Sequence, residues 1–373
     1  MKFIRCTCEN LSTPVKTVAG IVERNQSLPV VSNILIEQKG ANVRFTTTDL
    51  DIQIQTHAPV GIEGTEMSCT VSAQKLGEII NSFKGQEPIE LEIDDENRIT
   101  LSSKSGQFNM QTLPVRDFPV IAGNDWLVDF QIEAKTLRYL LSMTSFAMAN
   151  KDIRYFLNGV LMIVESGTVK CVATDTHRLA YCDAPVDGIP ELEKPIKVTI
   201  PRKTVRELLR ILPEDETPVE VRLSSSQCAF EFGAVEFLSK LVDGQFPDYA
   251  KVMPTLEINS QPVNVNREDL ITALRRVQIL TNEKFHGVRW LLSKNQLLIQ
   301  GSNSEQEEAN QVININWTWN DLDIGFNVVY LLDVLTALKN TEVTFHFAAT
   351  PKSVLLTMPD SMNFQYVIMP MRI

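Results

Sequence analysis

Apolar residues recur at three- and four-residue spacing in six stretches of the chain. Leu11 to Val22, Leu137 to Met148 and Leu270 to Leu280 form one set, and Ala73 to Phe83, Lys203 to Leu212 and Val328 to Leu338 form another. In the stretch beginning at 137, Leu137, Leu140, Leu141, Thr144 and Met148 fall along one face, the pattern of an amphipathic helix resting on a core. Ser12-Thr13-Pro14 puts a proline where a first helical turn tolerates one, so the first helix is expected to open there. Other segments alternate with a period of two. Pro88 to Ile93, Pro218 to Leu223 and Glu342 to Phe347 read as half-buried strands. Two helices with several short strands per stretch predict an α+β unit.

These elements recur. Leu113-Pro-Val-Arg-Asp-Phe118-Pro119 returns as Leu241-Val-Asp-Gly-Gln-Phe246-Pro247, with the two phenylalanines 128 residues apart. Thr48-Asp49 returns as Thr174-Asp175, and Ser302-Asn303 follows 128 later. Asn33 to Ile36 matches Asn158 to Leu161, and Gly159-Val-Leu161 matches Gly287-Val-Arg289. A further step of 128 from Phe246 lands just past residue 373, so Met369-Pro370-Met371-Arg372-Ile373 reads as a cut-short third copy. The expectation is three tandem domains of similar fold, 1–124, 125–253 and 254–373, with turn-like residues Gly123 to Asp125 and Met253 to Thr255 at the seams.

The net charge of −11 argues in bulk against a partner made of phosphates. Its distribution changes that picture. Counted with their flanks, the six helical stretches carry +7, which leaves −18 on the rest. Charge is segregated by element, as expected if the helices gather on a surface facing a polyanion. The start of the chain has no apolar stretch behind Lys2 and Arg5, so a cytoplasmic protein with no leader is expected. Val328 to Leu338 carries Asp333 and is too short to span a bilayer. Cys6, Cys8, Cys69, Cys171, Cys182 and Cys228 form no CxxC pair and are expected to be reduced and mostly buried.

Asp175-Thr-His177-Arg178 invites an acid–base reading with His177 as base, but no nucleophile context accompanies it. The four histidines lack metal-ligand spacing, and neither a phosphate loop nor a dinucleotide fingerprint is present. Neither a catalytic residue, a metal nor a cofactor is expected.

Several segments carry a family likeness. Arg154-Tyr-Phe-Leu-Asn-Gly159, Val172-Ala-Thr-Asp-Thr-His-Arg-Leu-Ala180 and Ile200-Pro-Arg-Lys203 resemble the middle domain of the bacterial DNA sliding clamps, the family of the beta subunit of DNA polymerase III. Ser239 to Tyr249, Thr281 to Phe285, Ile324-Gly-Phe-Asn327 and Tyr366 to Ile373 extend the likeness along the whole chain, in order. The resemblance implies the DNA clamp fold, with two chains forming a six-domain closed ring, helices lining the hole and sheets outside. It implies a non-catalytic processivity factor whose partners are duplex DNA without sequence preference, the replicative DNA polymerase, an ATP-dependent clamp loader and other proteins with a clamp-binding motif. Phosphate-directed Lys and Arg attract DNA without reading its bases, so such a ring can slide.

By position the resemblance implies DNA-facing roles for Arg24, Asn150, Lys151, Tyr155, Phe156, Arg202 and Lys203. It implies a peptide pocket from Leu157, Thr174, Thr176, His177, Arg178, Leu179, Pro247, Val252, Ser353, Val367, Met369, Pro370, Met371 and Arg372, with Arg178 and Arg372 holding peptide carbonyls or an acidic residue. Adaptable methionines suit a surface that accepts several partners. For the contact between chains it implies Lys75, Lys104, Phe108 and Met110 on one side, and Ile279, Leu280, Glu305, Glu307 and Glu308 on the other. Thr176, Phe156, Gln74 and Pro351 depart from the family's usual glycine, tyrosine, basic residue and small aliphatic residue.

Overall fold

A computed structural model describes residues 1–23, 28–94, 98–254, 261–348, 352–359 and 361–373. Its elements repeat in one order, strand, helix, four strands, helix, three strands, three times over. The first copy holds β1 (Lys2–Thr7), α1 (Cys8–Ala19), β2 (Asn33–Lys39), β3 (Asn42–Thr48), β4 (Ile52–Ala58), β5 (Glu66–Ser72), α2 (Ala73–Ser82), β6 (Pro88–Ile93), β7 (Arg98–Ser103) and β8 (Gln107–Gln111). The second holds β9 (Val128–Glu133), α3 (Ala134–Ser145), β10 (Gly159–Glu165), β11 (Thr168–Thr174), β12 (Arg178–Pro185), β13 (Ile196–Pro201), α4 (Arg202–Ile211), β14 (Pro218–Leu223), β15 (Gln227–Phe232) and β16 (Val235–Lys240). The third holds β17 (Gln261–Asn266), α5 (Arg267–Gln278), β18 (Gly287–Ser293), β19 (Gln296–Ser302), β20 (Glu308–Asn314), β21 (Leu322–Asn327), α6 (Val328–Ala337), β22 (Glu342–Phe347), β23 (Val354–Met358) and β24 (Ser361–Ile368).

The chain forms two compact units. Residues 1–135, 188–190 and 206–241 make the first, with a four-stranded sheet ordered β1-β6-β7-β8 and an eight-stranded sheet ordered β5-β2-β3-β4-β16-β15-β14-β9. Residues 136–187, 191–205 and 242–373 make the second, with sheets ordered β13-β10-β11-β12-β24-β23-β22-β17 and β20-β19-β18-β21. All the ladders are antiparallel. Each long sheet joins half-sheets from successive copies: β4 pairs with β16 in the first unit, and β12 with β24 in the second.

Side-chain caps set the helix starts. Thr7 accepts from Asn10 N–H, Ser72 from Lys75, Asn266 from Asp269, and Asn327 from Val329 and Tyr330. Capped by Thr7, α1 begins at Cys8, ahead of both Leu11 and the Ser12-Thr13-Pro14 pattern, so Pro14 lies inside the helix and is buried. The repeated turn is real at the level of single bonds. Leu50 N–H bonds to Thr48 Oγ1 (3.1 Å) as Thr176 N–H bonds to Thr174 Oγ1 (3.1 Å). Asp49, Asp175 and Asn303 each accept two backbone N–H groups just beyond them. The recurring phenylalanines cover sheet faces. Phe118 packs on Val30, Val31 and Leu35, and Phe246 on Leu161, Ile163, Val172 and Leu355. All six cysteines are unpaired and only Cys6 is not buried. Burial pushes the thiols of Cys69 and Cys228 up to about 12. Among the described residues no helix is long and apolar enough to cross a membrane, and no cluster of metal-ligating side chains occurs.

Candidate functional site

The densest gathering of residues selected from the sequence lies where β11 turns into β12. Asp175 Oδ1 accepts from the N–H groups of His177 (3.0 Å) and Arg178 (3.1 Å), while the Thr174 hydroxyl donates to the Arg178 carbonyl (2.6 Å). These bonds hold Thr176 at φ 75°, in the left-handed region that disfavours a β-branched residue.

Arg178 organises the site from within. It is 8% exposed. Its Nε donates to Asp175 Oδ2 (3.1 Å), Nη1 to Asp333 Oδ2 on α6 (2.6 Å), and Nη2 to the Phe146 carbonyl (2.7 Å). Its guanidinium carbon sits 4.3 Å from the Tyr330 ring centre, and the His177 ring stacks on that same tyrosine. Burial opposes the charge on Arg178, but Tyr366, Asp333 and Asp175 outweigh it and hold the proton more firmly than usual. Three of the five guanidinium N–H donors thus serve the protein's own acceptors and fix Arg178 in the wall of the site.

A cleft of about 620 Å³ opens beside this network. Asn150, Lys151 and Arg202, assigned to DNA, line it together with His177 and Arg178, assigned to peptide. Phe146, Tyr330 and Asp333 also form part of its wall. The apolar members of the pocket set differ in depth. Leu179 and Val367 are cross-strand partners in a buried cluster with Phe246, and Leu157 is wholly buried. These three lie beneath the surface, with at most 3% of their area exposed. Val252 and Met369 are 41% and 42% exposed. Pro247 and Arg372 are also exposed, and Thr176, Ser353, Pro370 and Met371 are half-buried, while Thr174 is buried in the turn. Met369 N–H donates to the His177 carbonyl (3.0 Å), which ties the C-terminal tail to the turn.

Of the residues assigned to DNA, Asn150, Lys151 and Tyr155 project from the loop after α3, with Lys151 at φ 59° and Tyr155 73% exposed. Phe156 is half-buried, and a side chain at Gly244 (φ 114°) would meet its ring at 3.4 Å, so Phe156 packs under the loop. Arg202 gives Nη1 to the carbonyls of Met148 (2.9 Å) and Ala149 (3.2 Å), and Lys203 is half-buried. Two more helix arginines work the same way. Arg210 bonds the carbonyls of Lys16 and Thr17 at the end of α1, and Arg267 those of Leu335 and Asn340 at the end of α6. A cation there offsets the negative end of a helix dipole and satisfies orphan carbonyls. The positive charge stays, so the long-range field survives while the donors are used internally. Gln74 bonds Glu78 one turn on. Arg24 and Pro351 lie outside the described residues.

The residues assigned to the contact between chains fall on or near two strands that end their sheets and on the helices of the same copies. In the first unit β8 ends its sheet, with Phe108 exposed and set edge-on against Phe83 at 5.6 Å. Lys75 and Lys104 are exposed, while Met110 is 5% exposed and covers the core. In the second unit β20 ends its sheet. Ile279 is 78% exposed, Leu280 is half-buried, and Glu305, Glu307 and Glu308 are exposed around the start of that strand.

Sequence reasoning missed Tyr330 and Asp333, although a signal was present. They are polar positions three apart on a mostly apolar helix whose Val328, Leu331, Val334 and Leu335 are buried. It also missed Ile153, which is 89% exposed between Lys151 and Tyr155.

Comparison with known proteins covers the chain end to end. Models of the DNA polymerase III beta subunit match in three parts: the N-terminal domain over residues 1–122, the central domain over 131–248 and the C-terminal domain over 251–372. The beta sliding clamp of Pseudomonas aeruginosa is 38% identical over 365 residues, 98% of each chain. That of Escherichia coli is 35% identical over 368 residues, again 98% of each. Among solved structures, a sliding clamp from Pseudomonas aeruginosa bound to griselimycin superposes with a TM-score of 0.93 at 37% identity, covering all of both chains. One from Bartonella birtlesii, also bound to griselimycin, does so with a TM-score of 0.92 at 32% identity and the same coverage.

Proposed function

The chain belongs to the family of the DNA polymerase III beta subunit, the sliding clamps, and from that premise we propose which of its surfaces do the clamp's work. It is a non-catalytic processivity factor. Two copies form a ring of six clamp domains around duplex DNA and tether the replicative polymerase and other partners bearing a clamp-binding motif, after an ATP-dependent loader has placed the ring.

One observation supports this reading most strongly. The fourth strand of each of the first two copies pairs with the last strand of the next copy: β4 takes β16, and β12 takes β24. The rule leaves β20 of the third copy and β8 of the first as edges. Pairing β20 of one chain with β8 of another, twice, extends the same rule around a closed head-to-tail dimer, giving eight-stranded sheets that run from β1 to β21 like those within each chain. Ile279 and Leu280 then meet Phe108, and Glu305, Glu307 and Glu308 meet Lys75 and Lys104. The seams of the three domains fall at 124/125 and 253/254.

For DNA we assign Asn150, Lys151, Tyr155, Arg202, Lys203 and Arg24. Their chemistry is phosphate attraction without base readout, which permits sliding. For partner peptides we assign the cleft at His177 and Tyr330 together with the exposed face of Val252, Pro247, Ser353 and the tail from Met369 to Arg372. The place of action is the cytoplasm, in keeping with six unpaired cysteines.

The test is a primer-extension assay on a long single-stranded circle with polymerase, loader and ATP. Product length per binding event should rise severalfold on adding this protein, and removal of Met369 to Ile373 should abolish the gain while light scattering still reports a dimer. Product length indifferent to the protein would contradict the function, and indifference to the deletion would contradict the peptide face.

A further inference from the structure

Beyond Ile368 the chain leaves the sheet and crosses to β21 as a strap. Its first anchor is Met369 N–H on the His177 carbonyl (3.0 Å). The second is Met371 N–H on the Gly325 carbonyl (2.9 Å), an isolated antiparallel bridge. Pro370 between them has no N–H to leave unsatisfied. Two backbone bonds thus hold the segment that presents Met369 and Met371.

Gly325 is the seat of the second anchor. It is buried in β21 opposite Arg289 of β18, and its φ is not in the left-handed region, so backbone freedom is not what it supplies. What it supplies is room. A Cβ there would stand 2.5 Å from the Met371 carbonyl oxygen and 2.6 Å from Ile373 Cδ1. The first of these is backbone and cannot swing aside without lifting the strap. Gly287 on the neighbouring strand offers a softer seat, because a Cβ there would meet Ile373 Cδ1 at 3.4 Å and Met371 Cε at 3.6 Å, both ends of flexible side chains.

We propose that Gly325 is a positioning residue for partner binding: its bare α carbon seats the C-terminal strap, and the seated strap fixes the peptide-binding face. The inference rests on the peptide-face assignment above. The strap itself stands on geometry alone.

The experiment measures griselimycin binding to the full-length dimer by calorimetry and protection of the Met371 amide by hydrogen exchange. Gly325→Ala should expose that amide and weaken griselimycin by about tenfold or more, the scale of one lost backbone bond with its dependent contacts. Gly287→Ala should change affinity less than about twofold, since its neighbours yield. Ile373→Ala should not rescue Gly325→Ala, because the blocking atom belongs to the backbone. Met371→Pro, which deletes the donor and leaves β21 untouched, should reproduce the loss and covers the case in which Gly325→Ala fails to fold. Light scattering should show a dimer throughout. Wild-type affinity in Gly325→Ala, or lost affinity with the Met371 amide still protected, would overturn the proposal. A wild type with a protected Met371 amide that binds no griselimycin would instead overturn the peptide-face assignment and leave the seat standing.

Discussion

Replacing Arg178 should damage stability far more than replacing its partner Asp333, and the geometry sets the ratio. Arg178→Ala removes three donors and leaves Asp175, Asp333 and the Phe146 carbonyl without them. The Arg178 and Asp175 side chains are 8% and 15% exposed, so water reaches that end of the pair poorly. Stranding a buried carboxylate in this way costs about 3–5 kcal/mol. Asp333 is different. At 35% side-chain exposure its pairing is screened, so Asp333→Asn should cost only about 1 kcal/mol while Arg178 stays paired with Asp175. In the Arg178→Ala background the same change should cost nothing or restore a few tenths of a kcal/mol, because the carboxylate there has lost its counter-charge. The assay is a double-mutant cycle on the full chain. It reads thermal midpoints together with hydrogen exchange of the β12 amides, where a loss of about 3 kcal/mol should lower the midpoint by roughly 10 °C. The network would be refuted as an organiser by Arg178→Ala within about 0.5 kcal/mol of wild type, or by Asp333→Asn costing the same with and without Arg178.

Three further outcomes follow from other parts of the structure. Thr176→Gly should relieve a left-handed β-branched residue and stabilise the fold by about 1 kcal/mol in urea titration, the released strain exceeding glycine's entropic cost; a destabilised variant would show that the turn is not strained. Burial lowers the pKa of His346, so the unfolded chain takes up a proton first and stability should fall as pH drops below about 6.5; His346→Gln should flatten that slope in a pH series of melting curves. Phe108→Ala combined with Ile279→Ala should shift the dimer to monomer by light scattering without lowering the melting midpoint of either unit, and an unchanged dimer would remove β8 and β20 from the interface.

How much of this could be read beforehand differs between elements and sites. The repeat was legible because its markers are structural necessities. Phe118 and Phe246 cover sheet faces in the first two copies, and Asp49, Asp175 and Asn303 close equivalent turns in all three. Helix positions followed from apolar spacing, but α1 starts earlier than the proline suggested because the Thr7 cap decides where a helix begins. Burial within the site was not legible. Phe108 and Met110 share a strand face, yet one lies on the rim beside Phe83 and the other over the core. Arg178 looks like a ligand-facing cation in sequence, since its partners Asp333 and Phe146 are 155 and 32 residues away. The charge segregation was legible as a count but not as a set of contacts. Arg210 and Arg267 direct their guanidinium groups to helix-end carbonyls and Arg202 to carbonyls in the loop after α3, so they add to the field without all being free to grip phosphate.

Encirclement of DNA is a topological property, and one measurement tests it directly. The protein is loaded with ATP and the loader onto nicked circular DNA, separated from free protein by gel filtration, and divided. One half is then cut once with a restriction enzyme. A closed ring remains on the intact circle and runs off the linear ends, so the protein should stay with the circle and leave the cut DNA. Equal retention on both forms, or retention on neither with the loader active, would contradict the account.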